Sequence, residues 1–313
     1  MVLLAGALAV VVSSVSHFLA PRYAARAFVA DQQLAIFEHR PFVEPSGQAG
    51  DVPEFRNRVL VPAALELATR AGHLPPVTAY FGIRVGCAFA MFLLLGAYVS
   101  RHAPAHALLP ALAVVALALI ISFNHPYEFP SDYLDIFFTT LFVMAARTRA
   151  RVLALVAAAI GATGRESAAF SGVIWWFCAD DAFGARTVFS IALVAVAMGV
   201  TTALRAYFHL PGGSILNSIA IRGSVGSLTR TFVTDPQPRI WVLGLFVIGI
   251  LLYQWLRTAR SWSAPDWALL RSAVVIFVIT LVFGVIHELR IYMPVVACVV
   301  LAGIPASRPA RAA

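Results

Sequence analysis

Apolar runs of 17 or more residues recur along the whole chain, for example Thr187 to Leu204 and Ile240 to Leu256. At a helical rise of about 1.5 Å per residue, each crosses most or all of a hydrocarbon core of roughly 30 Å. The pattern predicts membrane segments over 2–20, 76–100, 107–123, 133–146, 152–163, 167–179, 187–207, 240–256, 269–286 and 291–305. The fifth and sixth are short, and the polar step Gly164-Arg165-Glu166-Ser167 separates them. They form either a tight hairpin or one broken helix, and periodicity does not choose between these. The expected fold is all-α: a polytopic transmembrane helical bundle of about 8–10 segments, as one integral domain over 1–313.

Two longer polar stretches interrupt the pattern. Segment 21–75 reads as a first outer loop. Its second half, from Glu54 to Ala68, sets apolar residues beside charges in a way that suits a helix lying on the membrane surface. Pro62 either kinks that helix or begins a second piece. Segment 207–239 reads as a second long outer loop. The first twenty residues carry no basic leader and no small-x-small cleavage pattern, so they read as a retained helix.

Composition agrees with a membrane chain: 60% of residues are hydrophobic and 12% charged, against about 25% charged in soluble domains. The net charge of +8 comes from arginine alone, since the sequence has no lysine. That usage fits a GC-rich, bacterial genome. The arginines sit between apolar spans, so membrane topology and lipid head groups explain them better than nucleic acid does.

With the N-terminus inside, the short inner loops hold seven arginines: Arg101, Arg147, Arg149, Arg151, Arg186, Arg257 and Arg260. The short outer connections hold two, Arg165 and Arg290. Arginine excess in short loops marks the cytoplasmic side. Both termini are therefore expected in the cytoplasm, across a bacterial inner (plasma) membrane. Segment 21–75, the loop before Asp132, the Gly164–Ser167 step and His287 to Arg290 then share the outer face.

The residues able to carry chemistry gather on that face. Glu166 and Glu288 lie between apolar runs, each with an arginine within two residues. Ionisable groups at membrane depth cost about 2.5–3.5 kcal/mol on insertion scales and therefore need partners. Sequence neighbours do not face each other on a helix, which suggests Arg165 with Glu288 and Arg290 with Glu166. Such bridges are either purely structural or part of a site. Two arginines at head-group level also suit a lipid phosphate. Asp132 reads as an N-cap beside Ser131, and Asp135 follows one turn later. Arg84, inside the second predicted span, either snorkels to the surface or faces the same phosphate. No Gly-rich phosphate loop, zinc-ligand spacing or serine nucleophile elbow is present. Cys87, Cys178 and Cys298 lie in apolar segments and build no disulfide framework. No metal ligand is assigned, and a need for a divalent ion stays open.

These residues resemble a family. Asp31-Gln32-Gln33-Leu34-Ala35-Ile36-Phe37, then Arg40-Pro41-Phe42, then Asp51 to Pro62 with its Arg56-Asn57-Arg58-Val59-Leu60-Val61-Pro62 run, resemble the first outer loop of bacterial GT-C-type membrane glycosyltransferases. Gly164-Arg165-Glu166-Ser167 looks like that family's Arg-Glu-Thr step. Glu288-Leu289-Arg290-Ile291-Tyr292-Met293-Pro294 looks like its late Glu-x-Arg-x-Tyr-x-Pro element. Where the family has Asp-Gly followed by tyrosines, this chain has Asp31-Gln32-Gln33. The resemblance implies sugar transfer from a polyprenyl-phosphate donor on the outer face of the cell envelope. It puts the general base on Asp31, with Asp51 as second choice, and the lipid-linked phosphate on Arg56, Arg58, Arg165 and Arg290. Glu166, Glu288, Asp132 and Asp135 are then supporting polar groups. Expected partners are the bilayer and the polyprenyl-phosphate-linked sugar, with no nucleic acid. Two other readings use the same residues: a transporter or lipid flippase with the broken helix near Gly164 as its midplane site, and a non-catalytic membrane subunit of an envelope complex.

Overall fold

The computed structural model describes residues 1–19, 30–31, 34–35, 38, 42–43, 49–50, 58–122, 130–208, 237–258, 263–283 and 289–304. Of the sequence-derived site residues, Asp51, Arg56 and Glu288 lie outside the described set, as does the side chain of Arg290. So does the long loop from 209 to 236.

The described residues form a bundle of helices: α1 Val2–Leu19, α2 Leu60–Arg70, α3 Pro76–His102, α4 Leu108–Ser122, α5 Pro130–Arg147, α6 Arg151–Gly164, α7 Phe170–Cys178, α8 Phe183–Tyr207, α9 Gln237–Thr258, α10 Ala264–Phe283 and α11 Met293–Ala302. Short 3-10 turns, Ala105–Ala107, Glu166–Ala169 and Leu289–Tyr292, lead into α4, α7 and α11. One two-residue antiparallel ladder pairs Phe42 with Gly50 and Val43 with Ala49.

Four stretches are long and apolar enough to cross a membrane: Pro76–His102, Ala105–Ser122, Phe183–Tyr207 and Ala264–Leu281. The outward sides of these and neighbouring helices keep large apolar residues exposed, Val188, Ile191, Val274 and Val278 among them. Water disfavours such surfaces and lipid does not, so the chain is a helical membrane protein.

The core is built at short range by small residues. Ala154, Ala157 and Ala158 of α6 are buried against its neighbours. At Gly172 of α7, an added Cβ would lie 2.7 Å from the Ser190 carbonyl oxygen and 2.5 Å from Val194 Cγ2 of α8. Small residues at such crossings let helix backbones approach closely, as is usual between helices in lipid. Tyr98, Tyr133, Phe92 and Trp175 fill the wider spaces, all fully buried.

The short pair α6 and α7 is a hairpin. Arg149 and Arg151, at the start of α6, form ion pairs with Asp180 (2.5 Å) and Asp181 (3.2 Å), just past the end of α7. The chain has therefore returned to where it began. At the turn, α6 ends at Gly164, Arg165 is extended (φ −166°, ψ 149°), and the Glu166–Ala169 turn starts the way back.

This fixes two ends of the bundle. At one, Arg147 donates to the Tyr98 hydroxyl, beside the Arg149 and Arg151 pairs. At the other lie the hairpin tip, the start of α5 and the start of α2. Arg84 does not snorkel: it is 5% exposed inside the bundle and donates through Nη2 to the Ser13 carbonyl at 2.9 Å. Its place on the inward side of α3, facing α1, turns the guanidinium away from the surface.

Candidate functional site

The hairpin tip carries the densest charge cluster among the described residues. Asp132 and Asp135 stand three positions apart at the start of α5 and so share one helix face. Helix α5 begins at Pro130, with proline tolerated in the first turn. Asp132 is thereby drawn inside the helix, rather than capping it from a position ahead of it as Ser131-Asp132 suggested. The extended backbone of Arg165 projects its guanidinium onto this face. Its Nη1 donates to Asp132 Oδ1 at 2.7 Å and to Asp135 Oδ2 at 2.6 Å. Ser167 donates its hydroxyl to the other oxygen, Asp135 Oδ1. The side chains of Arg165, Asp132 and Asp135 are 9%, 1% and 5% exposed, so water screens none of these contacts.

Glu166 points the other way from its neighbour. It accepts from Arg58 Nη2 at 3.0 Å, and this pair is half-open, with side chains 26% (Arg58) and 39% (Glu166) exposed. The two elements meet at Gly164, where a Cβ would sit in ordinary van der Waals contact, 3.5 Å from Leu60 Cδ2 and 4.0 Å from Leu134 Cδ1. The start of α2 thus seats directly over the hairpin tip and α5. Arg58 is close enough for its charge to act on Asp135 as well.

Asp31 is brought to the same end. It is half-buried, and its neighbours Ala30, Leu34 and Ala35 pack with Val61 and Leu65 of α2, Tyr80 of α3 and Leu134 of α5. A polar strap fastens the segment further: Arg70 of α2 pairs with Glu38 at 3.5 Å and with Glu66 on its own helix. Ion pairs thus join Arg58 to Glu166 and Arg165 to Asp132 and Asp135, and the segment that carries Asp31 packs on the helices that bear them.

Among the described residues, the structure puts Asp132 and Asp135 on Arg165, and Arg58 on Glu166; Glu288 and the Arg290 side chain, the partners expected from the sequence, lie outside the described residues. Ser167 was not seen as a member. Its signal was available in the polar Gly164–Ser167 step, since a hydroxyl at a hairpin tip inside an apolar bundle needs a partner. Among the described residues, no group of three His, Cys, Asp or Glu side chains is placed to hold a metal ion.

The fold and cluster define a helical membrane protein with a charged site at one end of its bundle. No family model matches the chain, and neither a curated protein nor a solved structure does.

Proposed function

We propose that this protein is a polytopic membrane glycosyltransferase of about 8–10 segments, with α2 lying at the bilayer interface. On this reading it acts on the outer face of a bacterial inner membrane, with its N- and C-termini in the cytoplasm. It moves a sugar from a polyprenyl-phosphate donor to an acceptor hydroxyl. The observation that supports it is the gathering at one bundle end of a half-buried carboxylate, Asp31, and a half-open arginine pair, Arg58–Glu166, over a buried ionic base.

Each group has a distinct task. Asp31 takes the proton of the acceptor hydroxyl, whose oxygen then attacks the anomeric carbon. The bond from that carbon to the phosphate oxygen breaks, and polyprenyl phosphate leaves. Arg58 meets the charge that develops on the phosphate, because its pair with Glu166 is open to solvent and exchangeable. Arg165 is the positioning residue. Held by Asp132 and Asp135, it fixes the hairpin tip from which Glu166 and Ser167 project. Arg165 is enclosed, and this assigns it to the scaffold rather than to the phosphate. Asp51, Arg56 and Arg290 remain candidates for base and phosphate contacts.

Membranes bearing the wild type, Asp31→Asn or Arg58→Ala, incubated with radiolabelled polyprenyl-phosphate sugars, test the reading. Transfer in the wild type, lost in Asp31→Asn and weakened in Arg58→Ala at unchanged protein level, supports it. Transfer that survives Asp31→Asn moves the base to Asp51. Absence of transfer from every donor in the wild type overturns the enzyme reading in favour of transport or a subunit role.

A further inference from the structure

A second feature lies on the bilayer-facing side of the bundle, away from the charged cluster. Helix α10 is among the stretches long and apolar enough to cross a membrane. Its inward face is buried through Leu269, Ser272, Ala273 and Ile276. Its outward stripe, at helical spacing, carries Trp267, Arg271, Val274 and Val278, all exposed. An arginine on such a stripe is costly unless an anion meets it. Arg271 makes no hydrogen bond or ion pair to any described residue.

The arginine stands near one edge of the span. It lies seven residues past Ala264, about 10 Å along the axis at 1.5 Å per residue. Its neighbour Ser272 is 3.8 Å, oxygen to sulfur, from Cys178, the last residue of α7. Just beyond Cys178 come Asp180 and Asp181 with their arginine partners, so this is the end of the bundle opposite the hairpin tip. Side chains on a helix tilt toward its N-terminus, and α10 has its N-terminus at this end. The Arg271 side chain therefore leads back past Trp267 toward the head groups, as arginines near a span edge do. Trp267, 51% exposed one turn nearer that edge, is the residue type that favours the interface.

Beside Arg271 runs an apolar cleft of about 490 Å³ between α10 and the α7–α8 pair. Val275, one turn beyond Arg271, forms one bank, and Val173, Trp176, Ile191 and Val194 form the other. That second bank also carries a cation: the Arg186 guanidinium lies 5.5 Å from the centre of the Trp176 ring. Arg186 opens α8, at the same end of the bundle as Arg271.

We propose that Arg271 binds the phosphate of an anionic phospholipid in the leaflet at this end, with one acyl chain of that lipid lying in the cleft beside Val275. Charge complementarity selects the occupant. An exposed guanidinium calls for an anion, and phosphate suits it. A phospholipid joins anion and chain in the order required, the phosphate at head-group level and the chain toward the bilayer centre. A partner helix would have to bring a carboxylate to the same place. By the arginine excess in short loops this leaflet is the cytoplasmic one, whose anionic lipids give it a negative surface potential. The inference concerns binding alone and holds whether or not the protein transfers sugar.

The full chain in phosphatidylcholine nanodiscs is irradiated with a phosphatidylglycerol that bears a diazirine in one acyl chain, and labelled peptides are mapped. The expected label concentrates on α7, α8 and α10 around the cleft. Unlabelled phosphatidylglycerol chases it and phosphatidylcholine does not. Arg271→Gln lowers it about fivefold, the weight of one arginine at an anionic surface, at a melting temperature no lower than that of the wild type. Arg271→Lys keeps the charge and most of the label. Arg257→Gln removes another exposed arginine, in the last turn of α9, and leaves the label as in the wild type. Label insensitive to Arg271→Gln, or equally strong from a phosphatidylcholine probe, overturns the proposal. So does a cross-linked dimer that Arg271→Gln abolishes, because a second copy is then the occupant.

Discussion

Arg165→Ala removes the one guanidinium that two buried carboxylates share, and the structure allows its effect to be worked out. Asp132 and Asp135 both bond the same nitrogen, Nη1, at 2.7 and 2.6 Å. Without it, two carboxyl groups stay side by side at 0% and 6% residue exposure, where holding both charged is strongly disfavoured. Only the Ser167 hydroxyl then serves Asp135 from the hairpin tip. Breaking a buried ion pair from one side costs about 3–5 kcal/mol, a large share of the roughly 5–15 kcal/mol that holds a domain together. At about 2–4 °C per kcal/mol, the melting temperature in detergent should fall by roughly 6–20 °C, read by size-exclusion recovery after heating. The triple variant Arg165→Met, Asp132→Asn, Asp135→Asn removes the charges together and should recover most of that loss, because a neutral replacement of a buried ion cluster is often close to neutral in stability. The reasoning is refuted if Arg165→Ala melts within about 2 °C of the wild type. It is equally refuted if the triple variant is no more stable than the single one.

Other sites give sharper or smaller effects. Gly172→Ala drives a methyl into the Ser190 carbonyl and Val194. Such overpacking costs about 1–3 kcal/mol, so the variant should melt several degrees lower, while Gly199→Ala, with open space at its Cβ, should not. Asp180→Asn breaks a pair whose carboxylate is 96% exposed; pairs of this kind contribute little, and its melting curve should overlay that of the wild type. Trp255→Phe loses the Nε1–H donation to the Val300 carbonyl at 3.0 Å. A net loss of about 0.5–1.5 kcal/mol is expected, visible as a small but reproducible drop in the same assay.

The long elements were legible because length and apolarity suffice to define them. The predicted 76–100 and 187–207 became α3 (Pro76–His102) and α8 (Phe183–Tyr207). Shorter elements were ambiguous for a physical reason. Whether 152–179 is a hairpin or a broken helix shows only in contacts across about thirty positions, such as Arg149–Asp180 and Arg151–Asp181, that no local pattern encodes. The sequence places the start of α5 at 133 rather than 130 because Asp132 beside Ser131 reads as an N-cap, whereas the helix begins at Pro130 and Asp132 turns to Arg165. The same long-range contact explains the site. Asp132, Asp135, Arg165 and Glu166 could be singled out as charges at membrane depth, but which carboxylate meets which arginine follows from helix packing. Arg84 shows the reverse error: a lone arginine in a span suggests snorkelling, yet α1 supplies a carbonyl that holds it inside.

The hairpin also bears on how the chain enters the bilayer. Helix α6 has 14 residues and α7 has 9, about 21 and 14 Å at 1.5 Å per residue. Neither reaches across a core of roughly 30 Å, so neither is a good stop for the insertion machinery by itself. They would be threaded as a unit, tip first, with Arg165 leading at a cost of about 2.5–3.5 kcal/mol while unpaired. Because α5 is made before α6, Asp132 and Asp135 are already in place when that arginine arrives. Chain order thus supplies the counter-charge before the charge, so two carboxylates precede the arginine they will hold.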